Sequence, residues 1–459
     1  AVIAVIAAAE RLAAVHHLSA SSALAGRLGS SLGRGARAGR IWTIAPTPLR
    51  VAATPVEFSM PFLSEAVRRI NPSPTVAISQ KARELSASGR DVIALSAGEP
   101  DFDTPAHIRA AAAAAMDRGE TRYTAPDGLP ELKDAIIARH RADHGLAFER
   151  AEIQVTAGGK QALFNALLAT LDPGDEVVIP APYWVSYPDI ARLAGATPVI
   201  APTRAEDGFK LRPEALAAAI TPATRWVILN SPGNPSGAGH AAAELAALGA
   251  VLADHPQVWI LSDEIYAPIA YEPFRFAAFA AACPALRDRT LTVNAVSKAY
   301  AMTGWRIGWG AGPVPLLDAM RKIQSQSTTN ACSISQWAAV AALEGPQDYI
   351  PESRAAFRRR RDLVVAALNG CPGLACPEPE GAFYVYPSCA GLIGRTSPAG
   401  RVIADDAAFC EALLDAEGVA VVHGAAFGLS PHFRISYAAA DAVLEEACAR
   451  IRRFCESLA

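Results

Sequence analysis

The stretch Val293–Trp309, VNAVSKAYAMTGWRIGW, constrains the fold more than any other part of the chain. An apolar run, Thr290 to Val296, leads into a lone lysine, Lys298, and Arg306 follows inside a Gly-Trp-Arg turn. Burying an ammonium is costly, so a lysine that closes a core strand is unusual. The same desolvation lowers its pKa and frees the amine to attack a carbonyl. An arginine on a turn loosened by Gly304 and Gly308 can grip a phosphate with its planar fork. An amine and a phosphate clamp this close suit a ligand that carries both an aldehyde and a phosphate. Taken alone, the same residues would also describe a snorkelling surface lysine beside an ordinary turn. The segments upstream decide between the two.

Taken in order, those segments repeat one theme. A strand over Asp91–Leu95 runs into SAGEPDFDTP, where Gly98 lets backbone approach a ligand and Pro100 and Pro105 stiffen the loop. A helix over Ala106–Asp117 follows, then the polar turn TRYTAPDG with Tyr123. The strand Ile153–Thr156 meets Ala157-Gly158-Gly159-Lys160 and a helix over Gln161–Leu171; free N–H groups and the helix dipole there favour a phosphate. Trp184 lies past the strand Glu176–Pro180, where a flat ring can stack on a ligand. The strand Trp226–Asn230 ends in SPGNPSG with Asn234, and Val258–Leu261 ends in SDEIY with Asp263 and Tyr266. Every suggestive group falls just after a strand, and apolar runs alternate with helical segments through residues 106–320. That rhythm predicts an α/β fold with a mostly parallel sheet wrapped by helices.

Past residue 340 the pattern changes to a helix over Tyr349–Leu368 mixed with short strands, Ala382–Tyr386 and Val419–Val422, and Arg434 stands in a strand within HFRISYA. This reads as a smaller α+β domain at 341–459, completed by residues 60–105, with the large domain at 106–340. Residues 1–59 differ: six arginines, no lysine, and only Glu10 and Glu57 as acids. Such a start fits a transit peptide, or a stretch translated ahead of a natural start at Met60. The second is preferred because the folded pattern begins directly after Met60. No apolar run reaches the ~18 residues of a membrane span, and a net charge of −3 offers no general attraction to nucleic acid. The eight cysteines are scattered without metal-like spacing, which reads as reduced thiols in a cytoplasm.

The order GEPDFDTP, GGKQALFN, PYWVSYP, NSPGNPSG, SDEIY, VSKAYAMTGWRIGW, FRISYA resembles the class I aminotransferases of fold type I. The likeness is strongest to the bacterial subgroup of aspartate and aspartate/prephenate aminotransferases, and it covers about residues 60 to 459. It implies pyridoxal 5'-phosphate as cofactor, held covalently by Lys298, which would also move the substrate's proton. It implies Asp263 on the pyridinium nitrogen, Tyr266 and Asn234 on the phenolic oxygen, and Trp184 stacked on the ring. Gly159, Lys160 and Arg306 would surround the phosphate. Tyr123 would reach it from the neighbouring subunit of a homodimer. Arg434 would bind the substrate α-carboxylate, with Gly98 beside it and Lys160 near the distal carboxylate. The activity implied is amino transfer from L-aspartate to 2-oxoglutarate. Prephenate, aromatic or alanine aminotransferase activity are the alternatives. Two positions depart from the family pattern. Ala295 replaces a phosphate-binding serine of many relatives, and Asn71 replaces a lysine of many prephenate users, which counts against prephenate.

Overall fold

The fold is described from a computed structural model covering residues 62–72 and 74–459; the expectations for residues 1–59 and Met60 lie outside the described residues. The first strand, β1 (Ile93–Ala94), belongs to a small C-terminal layer. Seven later strands form the central sheet: β2 (Ile153–Thr156), β3 (Glu176–Ala181), β4 (Thr197–Pro202), β5 (Thr224–Asn230), β6 (Trp259–Asp263), β7 (Thr290–Ala295) and β8 (Gly308–Ala311). Their order is β2-β8-β7-β6-β5-β3-β4. All pairings from β4 across to β7 are parallel, whereas β8 is antiparallel to both β7 and β2. Strands covered on both faces need continuous apolar or β-branched runs. β7, TLTVNA, is buried at every position.

Strand β8 has no counterpart in the sequence-based expectation, which read Gly308 as part of a turn. Its sequence, Gly-Trp-Gly-Ala, lacks β-branched residues and contains two glycines, so propensity gives no strand signal. The glycine has a packing reason. A Cβ on Gly308 would lie 2.3 Å from the backbone nitrogen of Gly159 on the neighbouring connection. Because β8 runs backwards, its N-terminal approach, with Arg306, lies at the same edge as the C-terminal ends of the parallel strands.

Helices cover both faces of the sheet. On one side α2 (Gly159–Thr170) and α3 (Val314–Ser325) pack with Leu163, Leu167, Leu317 and Met320 against Val177, Ile228 and Leu291. On the other, Leu245, Leu248 and Leu252 of the helix Ala242–Ala253 meet Val178, Val227 and Ile260. The C-terminal layer holds β9 (Tyr384–Val385), β10 (Val419–Ala420), β11 (Val422–His423) and β12 (Phe433–Ser436). The predicted strand Val419–Val422 is therefore two short strands, because β10 pairs with β1 and β11 with β12. Phe383, Phe409, Phe433 and Phe454 fill the core beneath it. The chain's front end is woven in, since Ser436 N–H donates to the Leu95 carbonyl at 2.9 Å. The helix Pro74–Ala87, here α1, precedes β1.

One buried side chain ties β2, α2 and α3 together. Gln324, fully inaccessible, donates to the carbonyls of Pro126 (2.5 Å) and Val155 (2.8 Å) and accepts from Gln154 (3.1 Å) and Asn165 (2.9 Å). Gln324→Leu strands these groups, and should cost about 2–4 kcal/mol of stability. The check is a lower denaturant midpoint at unchanged m; a midpoint equal to the parent's would exclude a structural role for the network.

Candidate active site

The C-terminal ends of the parallel strands converge on one cavity of about 350 Å³. Asp263 is the last residue of β6, and Lys298 lies in the turn after β7, three residues beyond the strand's end rather than on it. Trp184 follows β3, Asn234 follows β5, and Gly159 and Lys160 open α2. Arg434, on β12, comes from the C-terminal layer, and Gly98 from the loop after β1. These eight residues and Tyr266 line the cavity together. Two predicted site residues do not. Arg306 lies alongside, against Gly158, and Tyr123 is 88% exposed.

The Lys298 ammonium donates to the Gly98 carbonyl and lies 5.8 Å from the centre of the Phe383 ring. Burial holds its pKa down to about 8; the carboxylate of Glu99 works against this shift, and the guanidiniums of Arg434 and Arg306 add to it. Asp263 is 5% exposed. One of its oxygens accepts from the Tyr187 hydroxyl at 2.7 Å and the other from Ile265 N–H at 3.3 Å. Burial raises its pKa to about 6, against the lowering effect of the Tyr187 bond. A buried carboxylate this weakly compensated is set up to receive a cation. Tyr266 shares a 2.9 Å hydroxyl–hydroxyl bond with Tyr384, and burial pushes it well above the ordinary phenol range.

Arg434 is 2% exposed and has no carboxylate partner among the described residues. Its guanidinium donates to Asn234 Oδ1 (3.0 Å) and the Ser96 carbonyl (2.5 Å), while Nε has no partner. It lies 4.8 Å from the Tyr384 ring centre and 5.1 Å from that of Phe427. A buried, charged fork with a free donor calls for a carboxylate. On the other side of the cavity, α2 starts without a side-chain cap and without an acidic residue in its first turn. Its free N–H groups and dipole favour an anion. Gly158, at φ +84°, permits the approach of Arg306, since a Cβ there would lie 2.2 Å from Nη2. Arg306 itself has φ +57°, a left-handed backbone that is strained in a non-glycine residue. Lys160 sits 4.6 Å over the Trp184 ring, its pKa lowered by burial and by Arg306.

Among the lining residues absent from the sequence-based set are Tyr187, Asn230 and Tyr384, and Thr75, Val76, Ser79 and Arg83 of α1. Tyr187 had a signal, one helical turn after Trp184. The α1 residues had none, because an amphipathic helix far upstream gives no sign of which cavity it borders.

These residues fit pyridoxal phosphate. There is an amine for its aldehyde, a buried carboxylate for its ring nitrogen, and an uncapped helix start with Arg306 for its phosphate. Comparison with known proteins identifies the class. The family described as Aminotransferase class I and II matches residues 90–451, and the chain belongs to it. It is an aminotransferase, and its cofactor is pyridoxal phosphate. It is 61% identical to the aspartate/prephenate aminotransferase of Cereibacter sphaeroides over 399 residues, 87% of this chain and 100% of that one. Among solved structures it resembles the aspartate aminotransferase of Rhizobium meliloti, with TM-score 0.85, 53% identity, and 86% and 99% of the two chains covered. It also resembles the Thermus thermophilus aspartate aminotransferase with maleate, with TM-score 0.80, 43% identity, and 85% and 99% covered.

The depressed pKa of Lys298 has a measurable sign. With the folded value near 8 and an ordinary lysine at 10.5, the amine is neutral above about pH 8. Uptake of pyridoxal phosphate by the cofactor-free protein should accelerate with pH and level off near 8, not near 10. The unfolded chain binds the extra proton between those values, so cofactor-free stability should rise from pH 8 towards 10.5. An uptake rate still climbing in proportion at pH 9.5 would contradict a desolvated amine at 298.

Proposed function

We propose that this chain catalyses the reversible transfer of the amino group from L-aspartate to 2-oxoglutarate, giving oxaloacetate and L-glutamate. The observation carrying the reading is the buried, carboxylate-free guanidinium of Arg434 in the same cavity as Lys298 and Asp263. The activities for which the similar proteins are named support the substrate, and one of them was solved with maleate, a four-carbon dicarboxylate.

When bound, pyridoxal phosphate supplies an aldehyde that captures the amino group and a ring that withdraws the electron pair left at Cα. The rest falls to the chain. Lys298 would hold the cofactor by its aldehyde carbon, and its neutral amine would accept the proton leaving substrate Cα. Asp263, fixed by Tyr187, would keep the ring nitrogen protonated; Tyr266 and Asn234 would serve the phenolic oxygen, and Trp184 the face of the ring. Gly159, Lys160 and Arg306 hold the phosphate. Ala295 offers no hydroxyl there. Arg434 grips the α-carboxylate as a bidentate pair, with the Gly98 backbone beside it.

Prephenate as an amino acceptor is a second reading, favoured by the name of the Cereibacter relative. Asn71, whose missing charge counted against prephenate, does not line the cavity. We further propose that residues 106–340 act as the cofactor-holding domain and residues 60–105 with 341–459 as the smaller one. The enzyme is proposed to be a cytoplasmic homodimer. The eight unpaired cysteines support a reducing compartment, and no helix among the described residues is long and apolar enough to cross a membrane. An aromatic ring as exposed as Tyr123 supports its reaching the phosphate of a second copy.

Arg434→Lys should keep the fold and lower kcat/KM for aspartate by about 10²-fold, because a point charge replaces a planar fork. A steady-state panel of aspartate, alanine, phenylalanine and prephenate reads the substrate; clear preference for an uncharged donor would defeat the dicarboxylate assignment. The shared site has its own test. Mixed dimers of Lys298→Ala and Tyr123→Ala chains should regain activity that neither homodimer has, since one of their two sites is intact. No recovery in verified mixed dimers would place Tyr123 outside the partner's site.

A further inference from the structure

The cavity wall carries four basic side chains, Arg83, Lys160, Lys298 and Arg434, and one carboxylate, Asp263. The proposed reaction accounts for part of this charge. Lys298 is taken up by the cofactor's aldehyde, Asp263 by its ring nitrogen, and Arg434 by the α-carboxylate. Arg306 and the start of α2 face the phosphate. Lys160 stands between the phosphate and the expected place of the distal carboxylate, and Arg83 alone has no role in that account.

Arg83 is a singular cation. It lies on the face of α1 that presents Thr75, Val76 and Ser79 to the cavity, at spacings of a helical turn. It is exposed, and its guanidinium has no hydrogen-bond or ion-pair partner among the described residues, although Glu84 is its neighbour in sequence. Most arginines of the C-terminal layer are engaged: Arg360 on Asp101 and Asp441, Arg361 on Asp362 and Glu378, Arg450 on Asp91 and Glu446. The helix bearing Arg83 is also fixed to the substrate end of the cavity. Ser79 and Ser96 share a 2.9 Å hydroxyl–hydroxyl bond, and the Ser96 carbonyl is the group that Arg434 holds.

We infer that Arg83 is a specificity residue that, opposite Lys160, grips the distal carboxylate of a dicarboxylic substrate. This deepens the proposed function and rests on it. A carboxylate at the far end of the substrate meets cations from two separate elements, α1 and α2, while the α-carboxylate is held by Arg434. An uncharged side chain leaves both cations unmatched, which is how the site discriminates against it. The exposed position of Arg83 also suits a longer or bulkier dicarboxylate, because the guanidinium can retreat without breaking another bond.

The test uses the pyridoxal-phosphate-loaded enzyme and Arg83→Ala and Arg83→Lys variants. In Arg83→Ala the ratio of kcat/KM for aspartate to that for alanine should fall about tenfold, and the maleate dissociation constant from calorimetry should rise about tenfold. Arg83→Lys should recover most of both. An unchanged ratio with unchanged maleate affinity, in a parent enzyme that does use aspartate, overturns the assignment of Arg83 and leaves the proposed function standing. So does an equal loss for both donors, which marks a structural role. A parent enzyme that does not turn over aspartate overturns both.

Discussion

Two desolvated charges of opposite sign, placed at the same edge of one sheet, set the terms for everything else in this molecule. Lys298 is driven towards neutrality and Asp263 towards protonation by the same cause, loss of water. Each charge eases the other only in part and they do not bond directly, since Lys298 donates to a backbone carbonyl and Asp263 accepts from a tyrosine hydroxyl. Paired directly, they would form a stable ion pair and an inert site. Kept apart, each retains an unmet demand: the amine for a carbonyl carbon, the carboxylate for a cation. A protonated pyridine with an aldehyde substituent meets both.

The sheet is what keeps them apart. Parallel strands β6 and β7 are neighbours, with Asp263 in register with Val293 and Lys298 five residues further along. Alternation along the strand adds a second filter. Asp263 faces the cavity, while Glu264, the next residue, takes the Ser262 hydroxyl (2.8 Å) and Phe279 N–H (3.1 Å) elsewhere. Burial raises Glu264 to about 7, so two adjacent carboxyl groups are both uncomfortable, and only one is open to a ligand. The reversed strand β8 then delivers Arg306 to the edge its parallel neighbours reach from the other direction. A parallel strand in that slot would have put the arginine at the far end of the sheet.

Much of this was legible in the chain itself, for a physical reason. Residues at strand ends sit in short polar words, such as SPGNPSG and SDEIY, whose composition contrasts with the apolar runs before them. Asp263, Asn234, Gly159 and Lys298 therefore announced themselves locally. What stayed hidden depends on partners far away in sequence. The bond between Tyr187 and Asp263 spans 76 residues, that between Tyr266 and Tyr384 spans 118, and the Gln324 network closes over more than 150. No local pattern encodes such meetings. Strand β8 was missed because Gly308 answers to the backbone at the start of α2 rather than to strand propensity. Arg83 looked like any solvated helical arginine until the cavity it borders was visible.

Arg434 carries the consequence furthest. It is drawn from the C-terminal layer, yet its two bonded partners, Asn234 and Ser96, come from the loop after β5 and the segment after β1. A carboxylate arriving at its free Nε therefore lands where three separate parts of the chain already meet. The site's grip on one end of a substrate is inseparable from the position of α1, because Ser96 is also bonded to Ser79. Arg83, proposed for the charge at the other end of the substrate, stands on that same helix. On the proposed assignment, the groups that would hold the two carboxylates are joined through α1 and Ser96, so the two ends of a dicarboxylate would be recognised by one connected set of bonds.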